Sequence, residues 1–375
     1  MSDKPTAIEN TRKLGFGLMR LPKKLLAIDI GQTKRMVDMF MEAGFTYFDT
    51  AHIYPGSEDA ARQALTERYP RDSYTIATKL FVSMALTETM VKKQFYTSLK
   101  RMSIDYIDYY LLHCIMDNNY RKYDRFNIWE FAAEQKRKGN IRHVGFSFHA
   151  GPDLLDKLLT EHPEVDFVQL QLNYADWENP KVTSRANYEV ARRHGKRIVV
   201  MEPVKGGALA DPPKEIKTLF SGYAPEMSPA SWAIRFVASL DGILTVLSGM
   251  SNVAQMADNL SYMKDFQPLN QEEQAIIHQA QGIMGRSKTI PCTACRYCTK
   301  GCPQQIAIPD IFAAMNQRIG SGQIEQSLMD YRRLTEHSAK AADCIACGQC
   351  ESVCPQHISI MEQLRECSRA FDGHT

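Results

Sequence analysis

The chain has 375 residues, of which 44% are hydrophobic and 23% charged, with a formal net charge of +2 at neutral pH. This balance is typical of a soluble globular protein and gives no electrostatic reason to expect nucleic acid or an anionic membrane as a partner. The opening residues 1–13 lack an apolar run, and the apolar segment 236–250 is interrupted by Asp241, so neither secretion nor membrane spanning is expected. We therefore expect a cytoplasmic protein with small-molecule partners.

From residue 14 to residue 265 the sequence alternates short β-rich runs with longer amphipathic stretches, the pattern of repeated βα units around a parallel sheet. Apolar residues in the longer stretches recur at three- and four-residue steps, and the stretches often stop at glycine, as helices do. The eight strand-like runs lie at residues 14–20, 46–51, 74–79, 106–113, 141–148, 166–173, 197–204 and 243–250.

Eight strands and eight helices in about 250 residues predict an α/β fold of the (β/α)8, or TIM barrel, type. A doubly wound sheet is the alternative, but no G-x-G-x-x-G sequence follows the first strand, so the nucleotide-binding fingerprint of that fold is missing. A polar helical segment at 266–285 leads out of the barrel. We expect the barrel in residues 1–285 and a small, mainly helical, ferredoxin-like domain in residues 286–375.

Eight of the ten cysteines form two sets with the same spacing, C-x2-C-x2-C-x3-C-P. Because no secretion signal is expected, two compact sets indicate metal ligation rather than disulfide bonds. The remaining cysteines, Cys114 and Cys367, are expected to be buried structural residues. The two sets are Cys292, Cys295, Cys298 and Cys302, followed by Cys344, Cys347, Cys350 and Cys354.

This spacing wraps three thiolates around one 4Fe-4S cluster, while the fourth thiolate reaches the neighbouring cluster. A structural zinc site is the alternative, but it uses paired C-x2-C units and seldom needs four cysteines within ten or eleven residues. The run resembles two-cluster ferredoxins, and the helical insert between the sets resembles the α-helical ferredoxin domains of respiratory iron–sulfur subunits. The predicted ligands are Cys292, Cys295, Cys298 and Cys354 for one cluster, and Cys302, Cys344, Cys347 and Cys350 for the other.

Polar residues end several of the predicted strands, where the active sites of such barrels lie. Asp49 ends the second strand, and Tyr54 follows it in the loop. Lys79 ends the third strand and His113 the fourth. Each has an ordinary structural explanation, such as a helix-starting acceptor or a satisfied core histidine. Together they suggest a mechanism, because an ammonium favours a neighbouring phenolate, a carboxylate fixes that ammonium, and a histidine can orient a carbonyl oxygen.

At these residues the sequence resembles the aldo-keto reductase superfamily over about residues 10–265, through the segments GFGLMRLP, FDTAHIYPGSE, ATK and YYLLH. The resemblance implies that a nicotinamide delivers hydride to a substrate carbonyl carbon while the Tyr54 hydroxyl gives a proton to its oxygen. Lys79 and Asp49 would tune that hydroxyl, and His113 would place the carbonyl. Oxidation of an alcohol would follow the same path in reverse.

The resemblance also implies that NADP(H) or NAD(H) lies extended across the barrel mouth. Ser147 and Gln169 would hold the carboxamide, and the segment with Met201 and Glu202 would line the nicotinamide and the pyrophosphate. The adenosine end would be held next to a helix start, where phosphate binding is favoured, although an ordinary strand–helix junction has the same pattern. The residues expected at that end are Gly249, Met250, Ser251, Gln255, Asp258 and Asn259.

Several positions depart from the pattern of the family. Phe148 follows Ser147 where many members have asparagine, and Met201 takes the place of an aromatic residue that stacks on the nicotinamide. A carboxylate near the ring, that of Glu202, is unexpected. Gln255 stands where NADP-specific members often have arginine for the 2′-phosphate, so the resemblance favours NADPH over NADH but without that contact.

The cofactors expected in the barrel and in the cysteine-rich tail transfer different numbers of electrons. A nicotinamide gives up two electrons as hydride, whereas a cluster passes one at a time, so a link between them needs an intermediary such as a flavin. One hypothesis is an enzyme whose tail connects the barrel to a ferredoxin, a flavoprotein or a flavin bound in this chain. A second is a reductase of small carbonyl compounds with structural or sensing clusters. A third is an electron-transfer or docking subunit with an idle barrel, against which the four polar residues argue.

Overall fold

The computed structural model describes residues 12–83 and 85–373. Residues 1–11, which make up most of the opening segment interpreted above, lie outside the described residues. The strands are Leu14–Gly17 (β1), Lys23–Lys24 (β2), Ala27–Ile28 (β3), Tyr47–Asp49 (β4), Thr75–Leu80 (β5), Ile107–Ile115 (β6), Ile141–Phe148 (β7), Phe167–Gln171 (β8), Arg197–Met201 (β9) and Ile243–Ser248 (β10).

The helices follow the same alternation as the sequence pattern. They are Ile30–Glu42 (α1), Ser57–Ala61 (α2), Glu88–Met102 (α3), Tyr120–Arg125 (α4), Ile128–Arg137 (α5), Pro152–Glu161 (α6), Ser184–Arg193 (α7), Lys214–Tyr223 (α8), Pro229–Ala238 (α9), Val253–Met263 (α10), Gln271–Met284 (α11), Tyr297–Lys300 (α12), Ile308–Ser321 (α13), Ile324–Thr335 (α14), Gln349–Ser352 (α15) and Ile360–Phe371 (α16). Within the described residues, none of these helices has the length and the apolar character needed to cross a membrane.

Eight parallel strands close into a barrel in the order β1, β10, β9, β8, β7, β6, β5, β4, which confirms the predicted (β/α)8 fold. Each of the eight strand-like runs supplies one strand. Strands such as β6 are buried on both faces, since the barrel interior covers one face and the helices cover the other. A separate apolar cluster that includes Tyr47, Tyr109 and Phe167 comes from alternate strand positions, as expected for a packed barrel interior.

The structure differs from the sequence pattern in local details. The first run leaves the sheet after Gly17, and Leu18–Arg20 form a single 3-10 turn. The helix expected after Tyr54 begins as α2 and continues as a π-helical turn at Arg62–Thr66. The antiparallel pair of β2 and β3 was not predicted, because two residues per strand are too few to show an alternating pattern.

The cysteine-rich tail forms a second apolar core made of helices and cysteines. Ile311 and Phe312 of α13 and Leu364 of α16 are buried in it, beside Cys298 and Cys354. Helices α13 and α14 pack against each other between the two cysteine sets. The predicted helical character of the tail is therefore confirmed.

The tail covers the carboxyl end of the barrel. Arg20 Nη2, at the end of the β1 segment, donates to the Thr293 carbonyl at 2.5 Å. The side-chain amides of Gln171 and Gln356 exchange two hydrogen bonds of 2.9 Å across the boundary. His357 Nε2 lies 2.9 Å from the carbonyl oxygen of His149, which follows β7. The mouth where barrel active sites lie is thus shared by both parts of the chain.

Candidate active site

One cavity of about 600 Å³ lies at the carboxyl ends of the barrel strands. Every residue that the sequence singled out for catalysis or for cofactor binding lines this cavity. The lining residues from the catalytic set are Asp49, Tyr54, Lys79 and His113. Those from the cofactor set are Ser147, Gln169, Met201, Glu202, Gly249, Met250, Ser251, Gln255, Asp258 and Asn259.

Lys79 and Asp49 form a buried ion pair at the base of the cavity. The Lys79 ammonium donates to Asp49 Oδ1 and, at 2.7 Å, to the carbonyl oxygen of Thr50. Burial lowers the pKa of Lys79, and the Asp49 carboxylate opposes that shift. Burial likewise raises the pKa of Asp49, and Lys79 opposes it. Because each charge compensates the other, the pair brings a fixed dipole to the cavity rather than a free ammonium.

The Tyr54 hydroxyl is held protonated by its surroundings. Burial raises the pKa of Tyr54 above its ordinary value, the Asp49 carboxylate adds to that shift, and the Tyr297 hydroxyl opposes it. Lys79 Nζ lies 5.3 Å from the centre of the Tyr54 ring, but its charge is directed at Asp49. The expected lowering of the phenol pKa by this ammonium is therefore outweighed, and the phenol can serve as a proton donor.

His113 lies beside Tyr54, with ring centres 5.7 Å apart and ring planes nearly perpendicular. Burial, then the Lys79 charge, lower the pKa of His113 well below its usual value, so the imidazole is neutral. The Tyr123 hydroxyl donates to the carbonyl oxygen of His113 and fixes its backbone. A neutral imidazole offers one N–H donor, and Nε2 faces the cavity at 3.4 Å from the Tyr297 hydroxyl.

The part of the cavity expected to hold the nicotinamide has polar groups suited to a carboxamide. Gln169 Oε1 is buried without a hydrogen-bond partner among the described residues, so it can accept from an amide NH2 group. Ser147 Oγ accepts from the Cys114 N–H at 2.7 Å, which leaves its own proton free to donate. Glu202, the unexpected carboxylate, lies 3.9 Å from Arg20. These groups fit a nicotinamide ring bound against β7, β8 and β9.

The expected adenosine end lies at the start of α10. Asn252 caps this helix by accepting from the Gln255 N–H at 2.8 Å. Gln255 Oε1 in turn accepts from the Ser251 N–H at 2.7 Å. A phosphate bound at this helix start would therefore have to replace Gln255 Oε1 as the acceptor of the Ser251 N–H. Asp258 accepts from Ser228 at 2.9 Å and is turned toward α9.

The cysteines surround two smaller cavities in the grouping that the sequence predicts, with one cysteine of each set crossing to the other. Two cysteines lie apart from both, and both are buried, namely Cys114 and Cys367. The first cavity is lined by Cys292, Cys295, Cys298 and Cys354. The second is lined by Cys302, Cys344, Cys347 and Cys350.

The two cysteine loops share backbone conformations as well as cysteine spacing. Positive φ values occur at equivalent positions of both sets, in the pairs Ala294 and Ala346, Arg296 and Gly348, and Gln305 and His357. Such turns point backbone N–H groups into a concave loop that suits an anionic ligand. One of these groups, the Ala294 N–H, lies 3.4 Å from Cys292 Sγ. Both loops therefore fit an iron–sulfur cluster, with thiolates as ligands and amides facing the sulfur.

Sequence reasoning missed the cavity residues that come from the tail. Thr293, Cys295, Tyr297, Pro355 and Gln356 line the same cavity as the barrel residues. No periodic pattern in the sequence indicates which surface a second domain covers, so these contacts left little signal in the sequence. The one hint is a mismatch between the duplicated sets, since Tyr297 stands where the second set has Gln349.

Comparisons with known proteins agree with this architecture. The aldo/keto reductase family profile matches residues 13–281, and a 4Fe-4S dicluster domain profile matches residues 291–359. An aldo-keto reductase from Mycolicibacterium smegmatis is 26% identical over 264 residues, which cover 69% of this chain and 86% of that protein. L-galactose dehydrogenase from Arabidopsis thaliana is 24% identical, over 70% of this chain and 88% of that protein.

Among solved structures, the holo form of an aldo-keto reductase from Bacillus halodurans superposes with a TM-score of 0.57 and 25% identity, covering 71% of this chain and 91% of that one. An aldo/keto reductase from Klebsiella pneumoniae in complex with NADP and acetate superposes with a TM-score of 0.58 over 72% of this chain and 92% of that one, at 18% identity. The profile match spans more than half of the chain and lies on the barrel that holds the cavity. The chain belongs to the aldo/keto reductase family of oxidoreductases, with a 4Fe-4S dicluster domain after its barrel.

Proposed function

We propose that this protein reduces small carbonyl compounds, or oxidises the corresponding alcohols, with a nicotinamide dinucleotide bound in the 600 Å³ cavity. The observation that supports the proposal most directly is the meeting of Asp49, Tyr54, Lys79 and His113 at one wall of that cavity. The orphaned oxygen of Gln169 supports a carboxamide nearby. A bound nicotinamide would supply the hydride, and the protein groups would place and protonate the substrate.

In this proposal Tyr54 donates the proton and His113 orients the carbonyl oxygen. Burial keeps the phenol protonated until negative charge develops on the substrate oxygen. The neutral His113 can donate from Nε2 to the same oxygen. Lys79 Nζ, paired with Asp49 and 5.3 Å from the centre of the Tyr54 ring, is the positive end of the dipole near the phenolate that forms as the proton leaves.

We infer that NADPH or NADH serves as the dinucleotide, with NADPH favoured. The Klebsiella pneumoniae protein of similar fold was crystallised with NADP. In this chain Gln255 faces the expected adenosine end and is already hydrogen-bonded to Ser251. Fluorescence titration with each dinucleotide tests this preference, because a site that binds the 2′-phosphate would give NADPH the lower Kd.

The proposal is tested by Tyr54→Phe, with methylglyoxal and glyceraldehyde as carbonyl substrates. Removing the acid should lower kcat by about 10²–10⁴-fold, the usual contribution of a positioned proton donor. Tyr69→Phe is the matched control, because that phenol donates to Asp38 on the outside of the barrel. Turnover of Tyr54→Phe at the wild-type rate would remove this mechanism and favour an electron-transfer or docking subunit with an idle barrel.

A second function, electron exchange between the barrel site and one-electron carriers, is favoured by one specific observation. Cys295, a predicted ligand of the first cluster, lines the same cavity as Tyr54. A 4Fe-4S cluster carries one electron at a time, so exchange with a nicotinamide requires a flavin or a flavoprotein between them. Under this proposal, a ferredoxin or a flavoprotein is the partner of the tail.

Anaerobic addition of NADPH to protein with intact clusters tests this second function. Loss of the visible cluster absorption on addition of NADPH alone would support an internal electron path, and release of a flavin on denaturation would identify the intermediary. If the absorption does not change, the clusters have a structural or sensing role and the reductase works without them as carriers. Iron content, measured in parallel, confirms that the clusters were present.

A further inference from the structure

The tail contributes a second phenol to the proposed carbonyl site. Tyr297 lies between two predicted cluster ligands, and its ring enters the cavity. Its hydroxyl is 3.4 Å from His113 Nε2, and the two ring centres are 6.4 Å apart. The same hydroxyl forms a hydrogen bond with the Tyr54 side chain and thereby opposes the rise of the Tyr54 pKa. Three polar groups from two domains therefore surround one point of the cavity.

The position of Tyr297 is fixed from both sides of the domain boundary. Arg296, with φ of 64°, starts α12 and turns the following tyrosine toward the barrel. Its guanidinium holds Asp310 of α13 through two hydrogen bonds of 2.9 and 2.6 Å. On the barrel side, Arg20 holds the carbonyl oxygen of Thr293 at 2.5 Å. A side chain held this way needs little reorganisation when a ligand binds.

We propose that Tyr297 is a substrate-binding residue whose hydroxyl donates a hydrogen bond to the substrate oxygen, together with Tyr54 and His113. This inference rests on the carbonyl reduction proposed above. The nicotinamide hydride goes to the carbonyl carbon, the Tyr54 proton goes to the oxygen, and Tyr297 keeps its own proton throughout. An alkoxide has three lone pairs, so a third donor stabilises the transition state more than the ground-state carbonyl, which has two.

A consequence is that the carbonyl site is complete only when the first cysteine loop is folded. Tyr297 sits between Cys295 and Cys298, so the loop that wraps the predicted first cluster also sets the position of the hydroxyl. The second cysteine set carries Gln349 at the equivalent position, and that side chain is exposed and does not line the cavity. The contribution to the carbonyl site therefore belongs to the first loop.

The test compares Tyr297→Phe with Gln349→Ala, its counterpart in the other loop. For Tyr297→Phe we expect kcat for methylglyoxal to fall on the order of 10²-fold, the loss typical of one such donor, with a smaller change in KM. NADPH binding, followed by fluorescence, and iron content should match the wild type. Acetate, whose carboxylate can occupy the substrate-oxygen position, should bind more weakly to the NADP⁺ complex by calorimetry. Gln349→Ala should leave all four measurements unchanged.

Wild-type kcat and wild-type acetate affinity in an iron-replete Tyr297→Phe protein would overturn the inference. If that variant loses iron, Tyr297→Met, which also lacks the hydroxyl, takes its place in the same measurements. Tyr54→Phe separates the two proposals. An active Tyr54→Phe protein contradicts the reductase mechanism itself, whereas an inactive Tyr54→Phe with a fully active Tyr297→Phe contradicts only the role of Tyr297.

Discussion

At the scale of single residues, the buried charges of Lys79 and Asp49 depend on each other. Both side chains are almost completely buried, and each is the main compensation for the charge of the other. Removing one partner of a buried pair leaves an uncompensated charge and costs roughly 3–5 kcal/mol, whereas replacing both with apolar residues is often neutral.

We therefore predict that Lys79→Met lowers the free energy of unfolding by about 3–5 kcal/mol, and that the double variant Asp49→Leu/Lys79→Met recovers most of that loss. Both proteins should be inactive, because neither retains the charge beside Tyr54. Urea unfolding followed by tryptophan fluorescence measures the stability. A double variant as unstable as the single one would show that the lost pairing is not the cause.

We predict that His149 makes the stability of the fold depend on pH. Burial, and then the nearby His357, lower the pKa of His149 to about 3, compared with about 6.5 in the unfolded chain. Between these values the unfolded chain binds the extra proton, so stability is present above pH 6.5 and is lost as the pH falls toward 3. At about 1.4 kcal/mol per pH unit, His149 should contribute about 2 kcal/mol of destabilisation between pH 6.5 and pH 5.

The prediction is tested by comparing the urea midpoints of the wild type and of His149→Gln at pH 7 and pH 5. The variant should lose less stability on acidification, since it has one histidine fewer to protonate. Some pH dependence should remain, because the pKa of the buried His113 is also lowered. Equal losses in the two proteins would contradict the assignment to His149.

At the scale of elements, the turn after β9 decides how closely the tail can approach the barrel. Gly206 has φ of 65°, and a Cβ atom there would lie 2.6 Å from Thr293 Cα and 2.7 Å from its carbonyl oxygen. Gly207 also has positive φ, 105°, but a Cβ there would have no neighbour within 4 Å. Substitution of Gly207 therefore introduces backbone strain alone, whereas substitution of Gly206 also introduces a clash with Thr293.

We predict that Gly206→Ala loosens the tail from the barrel, whereas Gly207→Ala does not. Alanine at the φ of Gly206 costs on the order of 1–2 kcal/mol in backbone strain, and alanine at the φ of Gly207, 105°, costs more because it lies outside the left-handed α region. Only Gly206→Ala should show faster proteolytic cleavage in the connection between α11 and the first cysteine loop, and it should also lose carbonyl reduction as Tyr297 moves. Equal cleavage of the two variants would mean that the contact at Thr293 does not hold the domains together.

The elements themselves were largely predictable from the sequence. Each barrel strand buries both faces and so appears as a short apolar run, and each outer helix buries one stripe, which gives a period of three to four residues. The pair of β2 and β3 was missed because it buries little and has no pattern. The π-helical turn at Arg62–Thr66 was missed because its residues follow the same period as the helix before it.

At the scale of the whole molecule, the two cysteine sets are interleaved in space. Cys354, from the second set, lies with the first three cysteines of the first set, and Cys302 lies with the second set. If each group holds one 4Fe-4S cluster, the chain binds about eight irons, four in each group.

We predict that Cys354→Ser loses the cluster beside the barrel mouth and retains about four irons. Adding Cys295→Ser, from the same group, should cause no further loss. Adding Cys347→Ser, from the other group, should remove nearly all the iron. Iron analysis of anaerobically purified proteins measures these values. If the Cys354→Ser/Cys347→Ser protein keeps about four irons, the clusters follow the order of the sequence instead of crossing.

The sequence predicts the elements and candidate site residues of each domain, but not the contacts between the two domains. Tyr54, Lys79 and His113 could be identified because strand ends of a barrel always converge. The placement of Tyr297 could not, because it depends on contacts such as those of Arg20 with Thr293 and of Gln171 with Gln356, which link residues far apart in the chain. Contacts of this kind between two domains produce no periodic pattern in the sequence of either domain.

The walls of the large cavity are drawn from nearly the entire length of the chain, from Gly17 to Gln356. Pro355 and Gln356 are synthesised only after the last barrel strand, which ends at Ser248. Until those residues are made, the tail cannot fully cover the carboxyl end of the barrel. The covered cavity is therefore the last part of the molecule that can be completed.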